Sequence, residues 1–201
     1  MSNGPSWLSR APRESILVDG IEVRRYLATD AAALVRAVTE SIEHLRPWMP
    51  WTRFEPQSVA QRESLIGEWN DEWDRLQGFG FGCFVDGVLV GSCGLHLRSG
   101  PGILEIGYWV HVAHTGRGVA TSMSRGLTNA AFEIAETDAV EIVHDPANVA
   151  SGRVPEKLGF THVEDFDRRA IGGSNPDVAP RETGVGRRWR VTRSEWSAIV
   201  G

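Results

Sequence analysis

Apolar positions along this chain recur with two periods, and the switches between them mark its elements. Ile21 to Leu27 alternates and reads as a first strand. Leu34, Val38, Ile42 and Leu45 then recur at spacings of four and three, which predicts a helix from Asp30 to about His44 with Thr29 as its cap. Pro47 and Pro50 end that helix. A second helix runs from about Ser58 to about Gln77, with Leu65, Trp69, Trp73 and Leu76 on one face and Glu68, Asp71, Glu72 and Arg75 opposite. Phe79–Val85 and Val88–Leu97 read as strands joined at Asp86-Gly87, a pair that tolerates positive φ. Ile103–Val112 is a third strand of the same meander. A helix to about Glu136 follows, with Met123, Leu127, Ala130, Ala131 and Ile134 on its apolar face. Then come a strand at Ala139–His144, a short helix at Ser151–Leu158 ended by Gly159, a strand at Thr161–Ala170, a long glycine- and proline-containing loop at 172–186, a strand at Arg187–Thr192 and a helical turn at Ser194–Val200. This order predicts an α/β fold with a mixed sheet, because a purely parallel sheet would not contain the central hairpin meander.

Composition adds exclusions. The chain has 201 residues, enough for one domain with a sizeable core, and it carries a net charge of −5 with 41% hydrophobic and 23% charged residues. No Lys/Arg run of the kind that grips nucleic acid is present, and no stretch approaches the roughly 18 apolar residues of a membrane span. Residues 1–14 hold Gly4, Pro5 and Pro12 and read as a flexible lead-in without the apolar core of a signal peptide, leaving 15–201 as a single domain. Cys83 and Cys93 form no CxxC or Cys/His cluster, so a reduced cytoplasm is expected. No His/Asp/Glu spacing supports a metal, and neither Gly-x-Ser-x-Gly nor a Cys/His pairing supports a covalent nucleophile.

The strongest chemical signal is a strand followed by Thr115-Gly116-Arg117-Gly118-Val119-Ala120 and then a helix. Glycines there let backbone N–H groups approach a ligand, and the helix N-terminus adds unpaired donors and about half a positive charge, which suits a pyrophosphate. The dinucleotide pattern GxGxxG fails at Thr121, and no Gly-Lys-Ser/Thr follows as a P-loop would require. The loop resembles the pyrophosphate loop of the GNAT acetyltransferases. Asn148-x-x-Ser151 followed by Glu156-Lys157-Leu158-Gly159-Phe160 resembles that family's second signature. His44-Leu45-Arg46-Pro47-Trp48-Met49-Pro50-Trp51 resembles a segment of its RimJ/RimL-like branch, the ribosomal-protein N-terminal acetyltransferases. Thr115 departs from the pattern, which prefers Gln or Arg there, and Pro155 inside the short helix suggests a start nearer Val154.

The resemblance implies a mixed, mostly antiparallel central sheet flanked by helices. It also implies direct transfer of acetyl from acetyl-CoA to a primary amine, without a metal. A protein or peptide N-terminal α-amine is the expected acceptor. A small amine (amino acid, polyamine or aminoglycoside) and a non-catalytic acyl-CoA sensor are the alternatives, and a homodimer stays open. Carried over residue by residue, the resemblance places Val110, Val112, Gly116, Arg117, Gly118, Val119, Ala120, Thr121, Asn148 and Ser151 at the cofactor. Glu105 becomes the base and Ser151 the acid that protonates the departing thiolate, against a solvated strand glutamate and a helix N-cap. Trp48 and Trp51 would wall the acceptor pocket, against plain core packing, and His144 would border it at the end of its strand. His111 and His114 are expected at the surface.

Overall fold

The computed structural model describes residues 7–168 and 178–201. Its strands form one eight-stranded sheet. In chain order they are β1 (Ser15–Val18), β2 (Ile21–Arg25), β3 (Gly78–Val85), β4 (Val88–His96), β5 (Ile103–Val110), β6 (Ala139–His144), β7 (Thr161–Asp167) and β8 (Val185–Thr192). Spatially they run β1-β2-β3-β4-β5-β6-β8-β7, and only β5 and β6 pair in parallel. That single parallel step follows from the crossover between them, which carries the helix α3 (Val119–Phe132).

Register assigns the two faces. Leu95, Ile106 and Ile142 are successive cross-strand neighbours and share one face, as do Leu104 and Val140. On that face α3 buries Met123, Leu127, Ala130, Ala131 and, just past its end, Ile134, all at 1% exposure or less. Each such large side chain contributes about 1.5–3 kcal/mol of burial. The helices α4 (Val149–Leu158) and α5 (Arg193–Val200) join the same core through Val154, Leu158 and Trp196. On the opposite face α1 (Ala31–Leu45) and α2 (Val59–Asp74) pack Leu34, Val38 and Ile66 against Phe84 and Leu89.

Several local expectations shift. A short strand, β1, precedes the expected first one, and the lead-in is tied down ahead of it: Leu8 is buried in the core and Arg13 pairs with Glu133. Asp30, not Thr29, secures the entry to α1, accepting from Leu27 N–H at 2.8 Å while Arg24 holds its carboxylate. The buried face of α2 is Arg62, Ile66 and Trp73. Arg62 is tolerated there because Glu55, itself buried, forms an ion pair with it. That pair fixes the α1–α2 connection, which carries Trp48 and Trp51. The long loop expected at 172–186 lies partly outside the described residues. Within it, Asp145 at the end of β6 accepts from the N–H groups of Thr183 and Gly184 and anchors the chain ahead of β8.

Candidate active site

Between β5 and β6 the ladder stops at Ile106–Ile142, although β5 continues to Val110 and β6 to His144. The strands therefore fork. His111 N–H donates across to Val90 C=O at 2.9 Å, so by strand alternation the backbone of Tyr108 and Val110 faces the β6 side, into the fork. A cavity of about 440 Å³ opens there. Its lining comes from the end of β5, the 114–118 loop, the first turn of α3, one side of α4, and the end of α1 with Trp48 and Met49.

The glycine loop has the conformation its residues were expected to need. Gly116 and Gly118 sit at φ +72° and +83°, and a Cβ added to either would meet nothing within 4 Å. Gly118 is the N-cap of α3, so no side chain occupies the first-turn N–H groups of Val119, Ala120 and Thr121. These three residues line the cavity, as do Val110, Gly116 and Gly118. Arg117 and Val112 do not. Arg117 is exposed, and Val112 N–H is taken by Ser41 Oγ at 3.1 Å. Thr115 lines the cavity but turns its hydroxyl onto Val112 C=O at 3.0 Å.

Across the cavity, α4 begins at Val149, earlier than Ser151 or Val154. Asn148 is its cap, with Oδ1 accepting from Ser151 N–H at 3.2 Å. The serine hydroxyl is thus released from capping, and it meets the Tyr108 hydroxyl at 3.0 Å. Pro155 explains the rest of this contact. A helical residue four positions after Ser151 would donate to the serine carbonyl, but proline has no N–H. Tyr108 Oη–H donates to that carbonyl instead, at 3.1 Å. Burial pushes the Tyr108 phenol up to about 12, opposed by its bond to Ser151. Tyr108, Trp109 and Arg153 also line the cavity and went unnoticed in the sequence; Lys157, the chain's one lysine and part of the second signature, lines it as well.

Of the other candidates, Trp48 alone lines the cavity and the rest fall elsewhere. Trp51 stands behind the lining, packed on Trp109 at 6.3 Å between ring centroids. Glu105 lies on the opposite face from Leu104 and Ile106, next to Arg98 at 3.1 Å, and is not a lining residue. Burial raises its pKa above the usual carboxylate value, with Arg98 opposing. His144 has both ring nitrogens engaged, Nδ1–H donating to Asp145 C=O at 2.8 Å and Nε2 accepting from Trp189 at 3.0 Å. Burial lowers its pKa, and it sits beneath α4 outside the cavity lining. His111, expected at the surface, is buried. Its Nδ1 caps the turn at Ala113 N–H, and its Nε2 lies 2.9 Å from Glu40. Among the described residues no group of three His, Cys, Asp or Glu side chains could hold a metal ion.

An eight-stranded mixed sheet forked between its two parallel strands, with an uncapped glycine-loop helix at the fork, is an acyltransferase scaffold. Residues 21–161 match the acetyltransferase (GNAT) domain family, and the chain belongs to it. It is 31% identical to a Bacillus subtilis (strain 168) protein named "Putative ribosomal N-acetyltransferase YdaF", over 70% of this chain and 77% of that one. Mycobacterium smegmatis RimJ, solved with CoA-disulfide, superposes with a TM-score of 0.72 at 21% identity, covering 96% of this chain and 91% of that one. RimL, the ribosomal L7/L12 α-N-protein acetyltransferase solved with coenzyme A, superposes at 0.76 and 17% identity, over 89% and 98%. No helix among the described residues is long and apolar enough to cross a membrane.

Proposed function

We propose that this chain transfers acetyl from acetyl-CoA to a primary amine, with a protein or peptide N-terminal α-amine as its acceptor. The observation that carries this reading is the uncapped first turn of α3 opening, through Gly116 and Gly118, into a cavity that reaches the β5/β6 fork. The chemistry of the opening fits acetyl-CoA: free N–H groups at a helix N-terminus for a pyrophosphate, Arg153 and Lys157 on the α4 side for further phosphate charge, and a narrow fork for an extended arm. Acetyl-CoA supplies an acyl group already activated as a thioester. Val110 N–H, directed into the fork, is placed to hold the acyl oxygen. Ser151, freed from capping and aligned by Tyr108, protonates the leaving sulfur. Trp48, backed by the Trp51–Trp109 pair, walls the acceptor side. Glu105, with its raised pKa, draws the acceptor's proton away through water. The α-amine assignment draws on the names of the relatives and on the His44–Trp51 segment. The reading describes a one-domain enzyme, residues 15–201, working in the cytoplasm with both cysteines free.

Free thiol released from acetyl-CoA tests this directly. Peptides with N-terminal serine or alanine are expected to give higher kcat/KM than spermidine or an aminoglycoside. Thiol release with none of them overturns the reading, and a clear preference for a small amine overturns the acceptor assignment.

The Glu105 role predicts an acceptor-dependent penalty. A lysine-like ammonium titrates near 10.4 and an α-amine near 8, so the α-amine asks less of a carboxylate base. Glu105→Gln should therefore lower kcat/KM by about 10²-fold on a strongly basic amine and by less on an α-amine. Parent and variant pH profiles of equal height would remove Glu105 from the reaction.

A further inference from the structure

The acceptor side of the fork holds a histidine with no assigned task. Glu105 and His96 are directly opposed on β5 and β4, on the face away from α3. The next pair toward the fork on that face is Gly94–Gly107, and the one after it is Ser92–Trp109. Two glycines in register leave a floor without side chains, and the His96 ring lies across it. Its Nε2 is 3.0 Å from where a Cβ on Gly107 would stand and 3.4 Å from that of Gly94. Gly107 is the first β5 residue beyond the last β5–β6 pair, so this nitrogen lies beside the start of the fork, one residue before the cavity lining begins at Tyr108. Among the described residues the ring has no hydrogen-bond partner, and it retains partial solvent exposure.

We propose that His96 Nε2 receives the attacking amine at the fork, accepting its N–H as the new N–C bond forms, and that the glycine pair Gly94–Gly107 exists to let the ring reach that point. This rests on the acetyl-transfer reading above. The balance is simple. The ammonium proton leaves first, through water to Glu105; the neutral amine nitrogen then bonds to the acyl carbon as the C–S bond breaks with its electron pair, the second N–H proton passes to His96, and the leaving sulfur takes the proton of Ser151. His96 returns its proton to water and Ser151 recovers one, so both residues end unchanged.

The charges around the ring favour this use. Burial, reinforced by Arg98, pulls the imidazole down to about 4, so it is neutral throughout the working range and presents a lone pair. Facing it are Glu105 on β5, Glu141 on β6, Arg188 and Arg190 on β8, and Glu72 on α2, whose Oε2 approaches the position of a Gly78 Cβ at 3.4 Å. The arginines are held by Glu141, leaving no strong net charge at the ring. A base this weak does not deprotonate a free ammonium, but an amine nitrogen becomes acidic as it acylates, and a neutral acceptor then suffices.

The test uses the full-length protein, acetyl-CoA and the best peptide or amine from the panel above, with thiol release across pH 6–9. His96→Asn is expected to lower kcat/KM by about 10²-fold at every pH. The KM for acetyl-CoA should stay within about twofold. The acid limb should stay where the acceptor amine sets it. Exogenous imidazole should restore part of the rate to His96→Ala. Gly107→Ala keeps the histidine but displaces its ring, and should lose rate in the same way. Melting temperatures of all variants separate these effects from misfolding. A parent that transfers to no amine overturns the acetyl-transfer reading and this role together. An active parent with an undiminished His96→Asn variant overturns the role alone, as does a loss that imidazole does not rescue and that tracks melting temperature.

Discussion

Gly118→Val weakens acetyl-CoA binding by about 100-fold or more. Gly118 holds φ at +83°, where an L side chain costs about 1–2 kcal/mol. That strain falls on the free protein as much as on the complex, so it does not set the affinity. The affinity falls because of where the side chain goes. Nothing of the protein lies within 4 Å of a Cβ at this position, and the space it would fill is the cavity in front of the α3 first turn. There the N–H groups of Val119, Ala120 and Thr121 have no capping side chain. Hydrogen bonds to a charged group contribute about 1.5–3 kcal/mol each. Blocking two of them removes 3 kcal/mol or more, about two decades at 1.4 kcal/mol per decade. Calorimetry with acetyl-CoA reads the loss, and Gly118→Ala should give a smaller one. Gly87→Ala is the control, since Gly87 has φ +77° and equally open space but lies in the β3–β4 turn. It should carry the strain and leave affinity intact. Undiminished affinity of Gly118→Val would remove the pyrophosphate from this loop.

Where periodicity was strong, the elements were legible in the sequence. The face of α3 is regular and apolar, and the Asp86-Gly87 turn and the β6 span fell where the residues put them. The misses have physical causes. β1 is four residues long with a single buried side chain, too short to alternate visibly. The buried face of α2 was misread because it contains a charge, and only the distant pairing with Glu55 makes Arg62 a core residue. Nothing in the sequence around Glu141 marks it out. It is fully buried because Ser99, Arg188 and Arg190 converge on it from a loop and a neighbouring strand.

The site divided along the same line. Contiguous parts, the 115–121 loop and the Asn148-x-x-Ser151 spacing, could be read as motifs. Parts assembled across strands could not. Tyr108 in an apolar strand reads as a core aromatic until Ser151, 43 residues later, is laid beside it. The one available signal was Pro155, since a proline four residues after Ser151 announces an orphaned carbonyl in need of a donor. His96 became conspicuous only when Gly94 and Gly107 proved to be in register.

Ser151→Ala lowers kcat by about 10²-fold while acetyl-CoA affinity changes less than about threefold. The melting temperature should barely move, because the cap of α4 belongs to Asn148; it is Asn148→Ala that should cost about 1 kcal/mol. Tyr108 sharpens the test. Its hydroxyl proton is committed to the Ser151 carbonyl, so in the contact between the two hydroxyls Ser151 Oγ–H is the donor. When the serine proton is drawn toward a leaving sulfur, the phenol must swing its own proton from the carbonyl to Oγ, and Tyr108 thereby acts on the reaction through Ser151. Tyr108→Phe should then lower kcat substantially. It should also destabilise the fold by about 1–3 kcal/mol, the cost of a buried unpaired carbonyl. Pro155→Ala separates the two effects. It supplies the missing helical N–H to the Ser151 carbonyl, so the Tyr108→Phe/Pro155→Ala double variant should recover stability and not turnover. Recovery of both would reduce Tyr108 to a helix support. Full turnover in Ser151→Ala would remove the serine from proton transfer and leave the departing thiolate to water.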